Sequence, residues 1–207
     1  MMSASLVIIV VTVLISFLAW NNGNLYYGFM MNPYDIFRKK QYWRMLTSGF
    51  IHSGYVHLGF NMFTFYFFGS IVEVIFGQVL GSSGSIVFIL FYLSAIIISD
   101  LPTAIKNRNI PGFNSLGASG AVSAMVFASI IYLPLNKIYL FAIIGIPGFI
   151  LGILYIIYSY TQGRNLSGNI NHQAHLYGAI YGVVFAIFVY PPAAEQFIEQ
   201  IMSYRPF

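Results

Sequence analysis

The chain has 207 residues, of which 58% are hydrophobic and only 7% are charged, and its mean hydropathy is +0.78. A soluble domain carries roughly 25% charged residues, so this composition excludes a water-exposed globular protein and favours one embedded in a bilayer. The net charge of +4 comes from few scattered residues, which excludes a nucleic-acid-binding stripe, and the lack of cysteine excludes disulfide and thiolate chemistry.

Long apolar runs predict six membrane-spanning helices in one all-α domain that covers residues 1–207. A hydrocarbon core needs about 20 mostly apolar residues per helix. The runs that approach this length are residues 4–20, 55–77, 84–100, 115–135, 138–160 and 172–190. They show no alternation of polar and apolar residues, so we expect helices rather than strands. The first run lacks a basic segment before it and a small-residue cleavage site after it, which indicates a retained span.

The connections between the predicted spans also carry information. The first, residues 21–54, mixes cations with aromatic residues, which is typical of a segment lying in the headgroup interface. The second and fourth are predicted as tight turns at Gln78–Ser83 and Pro134–Lys137. Pro147 lies within span five between two nearby glycines and predicts a kink there.

Polar side chains inside predicted spans are costly in a bilayer and are therefore candidates for function. His57 and Asn61 are four residues apart, so they share one face of span two. Ser119 lies near the start of span four, and His175 lies near the start of span six. Because even-numbered spans run in the same direction, we expect these residues at one depth near one membrane face.

A serine, a histidine and hydrogen-bond donors at one level form the set that acyl transfer requires. Ser119 would attack a carbonyl carbon, and neutral His175 would take the serine proton. His57, Asn61 and free amides at the start of span four would stabilise the oxyanion. No carboxylate lies near His175 in the sequence, which favours a Ser-His dyad over a triad.

Glycines predict a close approach of spans four and six. Gly117 and Gly120 flank Ser119, and Gly178 and Gly182 form a G-x-x-x-G pattern on span six. Small residues let helix backbones approach closely in lipid. We therefore expect these two spans to come near enough for a hydrogen bond between the serine and the histidine.

Each of these residues also has a plain structural interpretation. Ser119 alone is more often a packing serine, and Asn61 or His175 alone is as often a satisfied buried group. His52 and His172 are interpreted as structural or site-lining residues. A metal or haem protein could use the four histidines, although no carboxylate accompanies them. A transporter would more often show paired repeats or intramembrane acids.

In this order and at these spans, the residues resemble the rhomboid intramembrane serine proteases from about residue 33 to residue 185. The matching elements are Gly117-Ala118-Ser119-Gly120, the set His52, His57 and Asn61, the stretch Ala174-His175-Leu176-Tyr177-Gly178 with Gly182, the pair Trp43-Arg44, and Glu73 ahead of Gly77. The resemblance implies a six-helix core with an interfacial first loop. It also implies an active site in a water-filled depression that opens to one membrane face.

The resemblance implies a role for each residue of the site. Ser119 would be the nucleophile and His175 the general base. The oxyanion and substrate site would consist of His57, Asn61, Gly117 and Ala118, together with the Ser119 amide. The implied substrates are single-span membrane proteins, cut near or within the span after a small residue. No metal or organic cofactor is implied.

The resemblance also implies structural roles. Trp43-Arg44 would belong to a loop lying sideways in the bilayer, with Arg44 paired to Glu73. Gly120, Gly178 and Gly182 would let spans four and six pack closely against each other.

Two positions depart from the family pattern. Ser123 stands where some members place an aromatic ring against the catalytic histidine, and Tyr177 stands where glycine is common.

The orientation in the membrane follows from the resemblance rather than from charge. Family members in the bacterial cytoplasmic membrane usually have the N-terminus inside and the site outside, and we expect the same here. That orientation leaves only Lys137 and Arg205 inside, which is the reverse of the positive-inside rule. It places the remaining cations outside, namely Arg38, Lys39, Lys40, Arg44, Lys106, Arg108 and Arg164.

Overall fold

The computed structural model describes residues 3–140, 143–163 and 170–205, so Arg164 lies outside the described residues. The helices are α1 Ala4–Trp20, α2 Gly23–Phe29, α3 Pro33–Arg38, α4 Arg44–Thr47, α5 Tyr55–Leu80, α6 Gly84–Lys106, α7 Ser119–Tyr132, α8 Gly148–Gln162, α9 His172–Val189 and α10 Pro192–Ser203. Short 3-10 turns occupy Ser48–Phe50 and Gly81–Ser83. The strands β1 Lys137–Leu140 and β2 Ile144–Pro147 form an antiparallel hairpin ahead of α8.

The predicted spans correspond to α1, α5, α6, α7, α8 and α9. By length and composition, two helical stretches can cross a membrane: Tyr55–Lys106, which contains both α5 and α6, and His172–Val189. The helices α1, α7 and α8 are apolar but shorter, with 17, 14 and 15 residues. Six membrane crossings therefore stay a prediction.

Helix α7 lies at the centre of the fold. It is enclosed by α5, α6 and α9, and nearly all of its side chains are buried. Aromatic residues such as Phe65, Phe91 and Tyr92 fill the space beside it and are fully buried. By contrast, the outer faces of the surrounding helices expose large apolar side chains, including Phe60 and Phe188. An apolar outer face of this kind suits contact with lipid.

The predicted span over residues 138–160 is wrong at its start. Residues 137–140 and 144–147 form the paired strands β1 and β2, and the helix begins only at Gly148. Pro147 precedes the helix with an extended backbone, at ψ 138°, and does not kink it. A short apolar run cannot distinguish a strand from a helix by periodicity. The fold is therefore mostly helical rather than all-α.

Two other helix ends differ from the predicted ones. Helix α6 continues past the predicted end at residue 100 to Lys106, because Asp100 and Thr103 are buried against the rest of the fold. Helix α7 starts at Ser119 rather than at residue 115, because Gly117 has a φ of +111° that a helix cannot accommodate. The amphipathic helix α10, which buries Ala193, was not predicted.

The predicted pair between Arg44 and Glu73 is wrong. The Arg44 guanidinium is buried and donates to the carbonyls of Tyr27, at 2.8 Å, and Met30, at 3.0 Å, with Asp35 Oδ2 at 3.6 Å. These contacts join separate parts of the first loop, residues 21–54, to one side chain.

Glu73 instead accepts bonds from the Ala4 and Ser5 amides, at 2.6 and 2.9 Å, and so caps α1. Glu73 does not pair with Arg44 because it lies far from the first loop. At 1.5 Å per residue, it is about 27 Å along α5 from Tyr55, the residue that follows that loop. Trp43 is exposed, as an interfacial anchor would be.

Candidate active site

The first turns of α5, α7 and α9 meet at one end of the helix bundle. Ser119 is the first residue of α7, and His175 lies in the first turn of α9. The Ser119 Oγ atom lies 2.8 Å from His175 Nε2. A serine hydroxyl that donates to a neutral imidazole nitrogen at this distance can pass its proton to the ring during attack on a carbonyl.

Glycines bring α7 and α9 together as the sequence predicted. A Cβ atom at Gly178 would overlap the carbonyl oxygen of Gly120, and one at Gly182 would overlap the carbonyl oxygen of Ala124. A Cβ atom at Gly120 would in turn overlap the Ser99 hydroxyl. Backbone therefore packs directly on backbone, which lets two short side chains bridge the interface.

His57 lies against the loop that leads into Ser119. A Cβ atom at Gly117 would lie 2.6 Å from His57 Cε1 and 2.8 Å from His57 Nε2, so only glycine fits there. His57 Nδ1 lies 3.1 Å from the Ser53 hydroxyl. When Ser53 donates this bond, Nε2 carries the ring proton and can donate to an oxygen bound beside Gly117.

Asn61 lies one helical turn below His57 and is buried. Its Nδ2 atom donates to the His57 carbonyl at 2.9 Å. A carboxamide carries two N–H groups, so one donates to the His57 carbonyl and the second can donate to a substrate oxygen.

His52 has a defined structural task that the sequence did not identify. Its Nε2 accepts a bond from the Ala118 amide at 3.3 Å, and its Nδ1 lies 3.0 Å from the Ser16 hydroxyl. Ser16 in turn donates to the Phe50 carbonyl at 3.1 Å. Burial, and secondarily the neighbouring His57, lower the pKa of His52 to about 3. The ring therefore stays neutral and Nε2 stays an acceptor.

The amides of the loop before Ser119 are already bonded within the protein. The Gly117 amide donates to the Ser48 carbonyl at 2.9 Å, and the Ala118 amide donates to His52. These two residues therefore serve the site through the shape of the loop. The Ser119 amide opens α7, where the first N–H groups lack acceptors within the helix, and it is the backbone donor nearest the nucleophile.

The His175 ring is held from two sides by aromatic contacts that sequence reasoning missed. Tyr155 of α8 stacks on it with a centroid distance of 6.2 Å and an interplanar angle of 23°. His172 meets it edge to face at 5.8 Å. The Tyr155 hydroxyl lies 2.6 Å from Ser123 Oγ. Ser123 stands where the resemblance implies an aromatic ring, and here a ring from another helix lies against the histidine instead. Tyr177 is exposed and stays out of the α7–α9 interface.

A buried carboxylate acts on the helix that carries His175 rather than on the ring itself. Asp100 Oδ1 accepts a bond from Asn171 Nδ2 at 3.0 Å. Asn171 Oδ1 caps α9 by accepting from the Ala174 amide at 3.1 Å, and it also accepts from Thr103 at 3.0 Å. No sequence signal connects Asp100 with Asn171, because they are 71 positions apart.

Histidine and carboxylate side chains do not gather into a metal site in the parts of the chain that the structure describes. Among those residues, no three His, Cys, Asp or Glu side chains could hold a metal ion together.

The Rhomboid domain model matches residues 39–192, which is most of the chain. The chain therefore belongs to the rhomboid family, and this match confirms the resemblance seen in the sequence. RHOMBOID-like protein 12, mitochondrial, from Arabidopsis thaliana is 32% identical over 174 residues, covering 75% of this chain and 50% of that protein. Rhomboid protease GluP from Bacillus subtilis (strain 168) is 27% identical over 163 residues, covering 79% of this chain and 29% of that protein.

The chain thus spans half the length of the first relative and less than a third of the second. Membership of the rhomboid family makes it a membrane protein.

Proposed function

We propose that this chain is an intramembrane serine endopeptidase that cleaves single-span membrane proteins through a Ser119–His175 dyad. The observation that carries the proposal is the 2.8 Å contact between Ser119 Oγ and His175 Nε2, at the point where three helix starts meet. The name of one relative, Rhomboid protease GluP, supports the same chemistry.

The dyad would work by acyl transfer. Ser119 Oγ attacks the carbonyl carbon of the scissile peptide bond while its proton passes to His175 Nε2. His175 then gives that proton to the leaving amine, the C–N bond breaks, and an acyl-serine remains. Water attacks this ester with His175 again as the base, releasing the carboxylic acid and returning the proton to Ser119.

The oxyanion formed in each step needs donors aimed at one point. His57 Nε2–H, the second N–H of Asn61 and the Ser119 amide are the donors that we assign to it. Gly117 leaves space for the carbonyl oxygen beside His57, since any side chain there would collide with the ring. We assign no cofactor to this chemistry.

The six apolar helices that match the predicted spans would cross the bilayer. Helix α7 has 14 residues, which is about 21 Å at 1.5 Å per residue, against a hydrocarbon core of about 30 Å. Ser119, at its start, would therefore lie below the membrane surface. Non-helical backbone at this depth is tolerated where it lines a water-filled cavity, which is what hydrolysis requires. A bacterial cytoplasmic membrane and an inside N-terminus stay predictions from the resemblance.

Two readouts test the proposal together: labelling by a fluorophosphonate probe, and cleavage of a model single-span substrate in proteoliposomes. We expect Ser119→Ala to abolish both, because it removes the nucleophile, and His175→Ala to abolish cleavage, because it removes the base. Ser129→Ala is the matched control, since Ser129 lies on the same helix and its hydroxyl donates to the Val126 carbonyl.

Cleavage by a folded Ser119→Ala variant would overturn the dyad. A folded wild-type protein that neither labels nor cleaves would instead favour a catalytically silent rhomboid-like protein that binds transmembrane segments.

A further inference from the structure

We propose that Tyr155 is a positioning residue that holds the His175 imidazole in line with Ser119, a role that rests on the proposed function. The two rings lie nearly parallel, with centroids 6.2 Å apart and planes 23° apart. Offset stacking in this range is a favoured aromatic arrangement. Tyr155 comes from α8, whereas the dyad lies on α7 and α9.

The single proton of the Ser123 hydroxyl determines how the Tyr155 ring is anchored. Ser123 has one hydroxyl proton, and it donates that proton to the Ser119 carbonyl at 2.8 Å. The 2.6 Å contact between Ser123 Oγ and the Tyr155 hydroxyl is therefore a bond that tyrosine donates. The hydroxyl fastens Tyr155 to α7 one turn below Ser119, while the ring face lies on His175.

A dyad histidine needs such support because, among the residues that the structure describes, no carboxylate bonds to its ring. The buried acid Asp100 is engaged with Asn171 at the start of α9. His172 borders the His175 ring edge to face at 5.8 Å, so Tyr155 supplies the flat contact. Phe127 packs beside Tyr155 at 5.6 Å and limits its movement in turn. Rotation of the imidazole away from Ser119 would first have to displace Tyr155.

The test compares variants of the full chain in proteoliposomes with a model single-span substrate. Tyr155→Leu removes the ring and should lower kcat roughly 10- to 100-fold, the scale expected from misplacing a catalytic group, while KM stays within about 2-fold. Tyr155→Phe keeps the ring and should recover most of that kcat.

Ser123→Ala removes the same hydrogen bond together with the bond to the Ser119 carbonyl, so it should lose at least as much kcat as Tyr155→Phe. The double variant should be no slower than Ser123→Ala, because Tyr155→Phe breaks a bond that Ser123→Ala has already removed.

Tyr66→Leu is the control, since Tyr66 is an exposed tyrosine on α5 and should keep the wild-type kcat. Wild-type kcat in Tyr155→Leu would overturn the positioning role and leave the proposed protease intact. If Tyr155→Leu unfolds, the Tyr155→Phe and Ser123→Ala pair decides, because additive losses would overturn the role. Failure of the wild-type protein to label or cleave is a separate result that counts against the protease itself.

Discussion

Helix α7 makes two different contacts on its two sides, one with α9 and one with α8. Against α9, the backbone at Gly178 and Gly182 lies so near the carbonyl oxygens of Gly120 and Ala124 that no Cβ atom fits. Against α8, a Cβ atom at Gly152 would lie 3.4 Å from the Ile130 side chain, which is ordinary van der Waals contact.

The difference matches the chemical task of each interface. The proposed nucleophile and base face each other across the backbone-to-backbone contact, where the helices lie too close for a Cβ atom. The supporting Tyr155 of α8 bonds to Ser123 of α7 across the interface made by side chains. Reactive groups need placement to within about 0.5 Å, and only the tighter interface supplies it from the backbone alone.

Breaking the tight interface should have the largest effect. Gly178→Ala places a methyl group against the Gly120 carbonyl, so α9 must move away from α7 and the Ser119–His175 contact must lengthen. We expect cleavage to fall by roughly 100-fold or more, together with a lower Tm in detergent. Wild-type cleavage in a folded Gly178→Ala variant would show that the close approach is not required.

A smaller effect should come from His52, which supports the loop at the end of the tight interface. Burial lowers its pKa to about 3, against about 6.5 in an unfolded chain, so the unfolded state binds a proton first as the pH falls. The stabilisation is complete above about pH 6.5 and is lost as the pH falls towards 3. Thermal unfolding from pH 7 to pH 4 should show this loss.

The matched variant for that measurement is His52→Gln, which cannot titrate. Its Tm should fall less steeply with pH than that of the wild type. Equal slopes in the two proteins would exclude His52 as the titrating group.

The smallest effect should come from replacing a glycine of α8 by alanine, as Gly178→Ala does on α9. Gly152→Ala meets only ordinary contacts with Ile130 and Phe127, and alanine favours a helix by about 1 kcal/mol over glycine. We expect a Tm equal to or above that of the wild type and cleavage within about 2-fold. A loss as large as that of Gly178→Ala would remove the distinction between the two interfaces.

Much of the candidate site follows from local features of the sequence. The pattern of apolar runs predicts α5, α6, α7 and α9 to within a few residues, apart from the longer end of α6. The glycine spacing predicts that Ser119 and His175 meet, and the structure brings them together. Helix length and small-residue spacing are properties of one segment, so they can be read before the segments are assembled.

Other features depend on segments that lie far apart in the chain. The Tyr155 hydroxyl meets Ser123 over 32 positions, and Glu73 caps α1 over 69 positions. The hairpin before α8 is fixed by pairing between two strands, since its apolar residues suit a helix equally well.

The sequence by itself determined the candidate catalytic residues and the helix starts at which they lie. Only the tertiary structure decided which groups orient them, because orientation depends on contacts between helices.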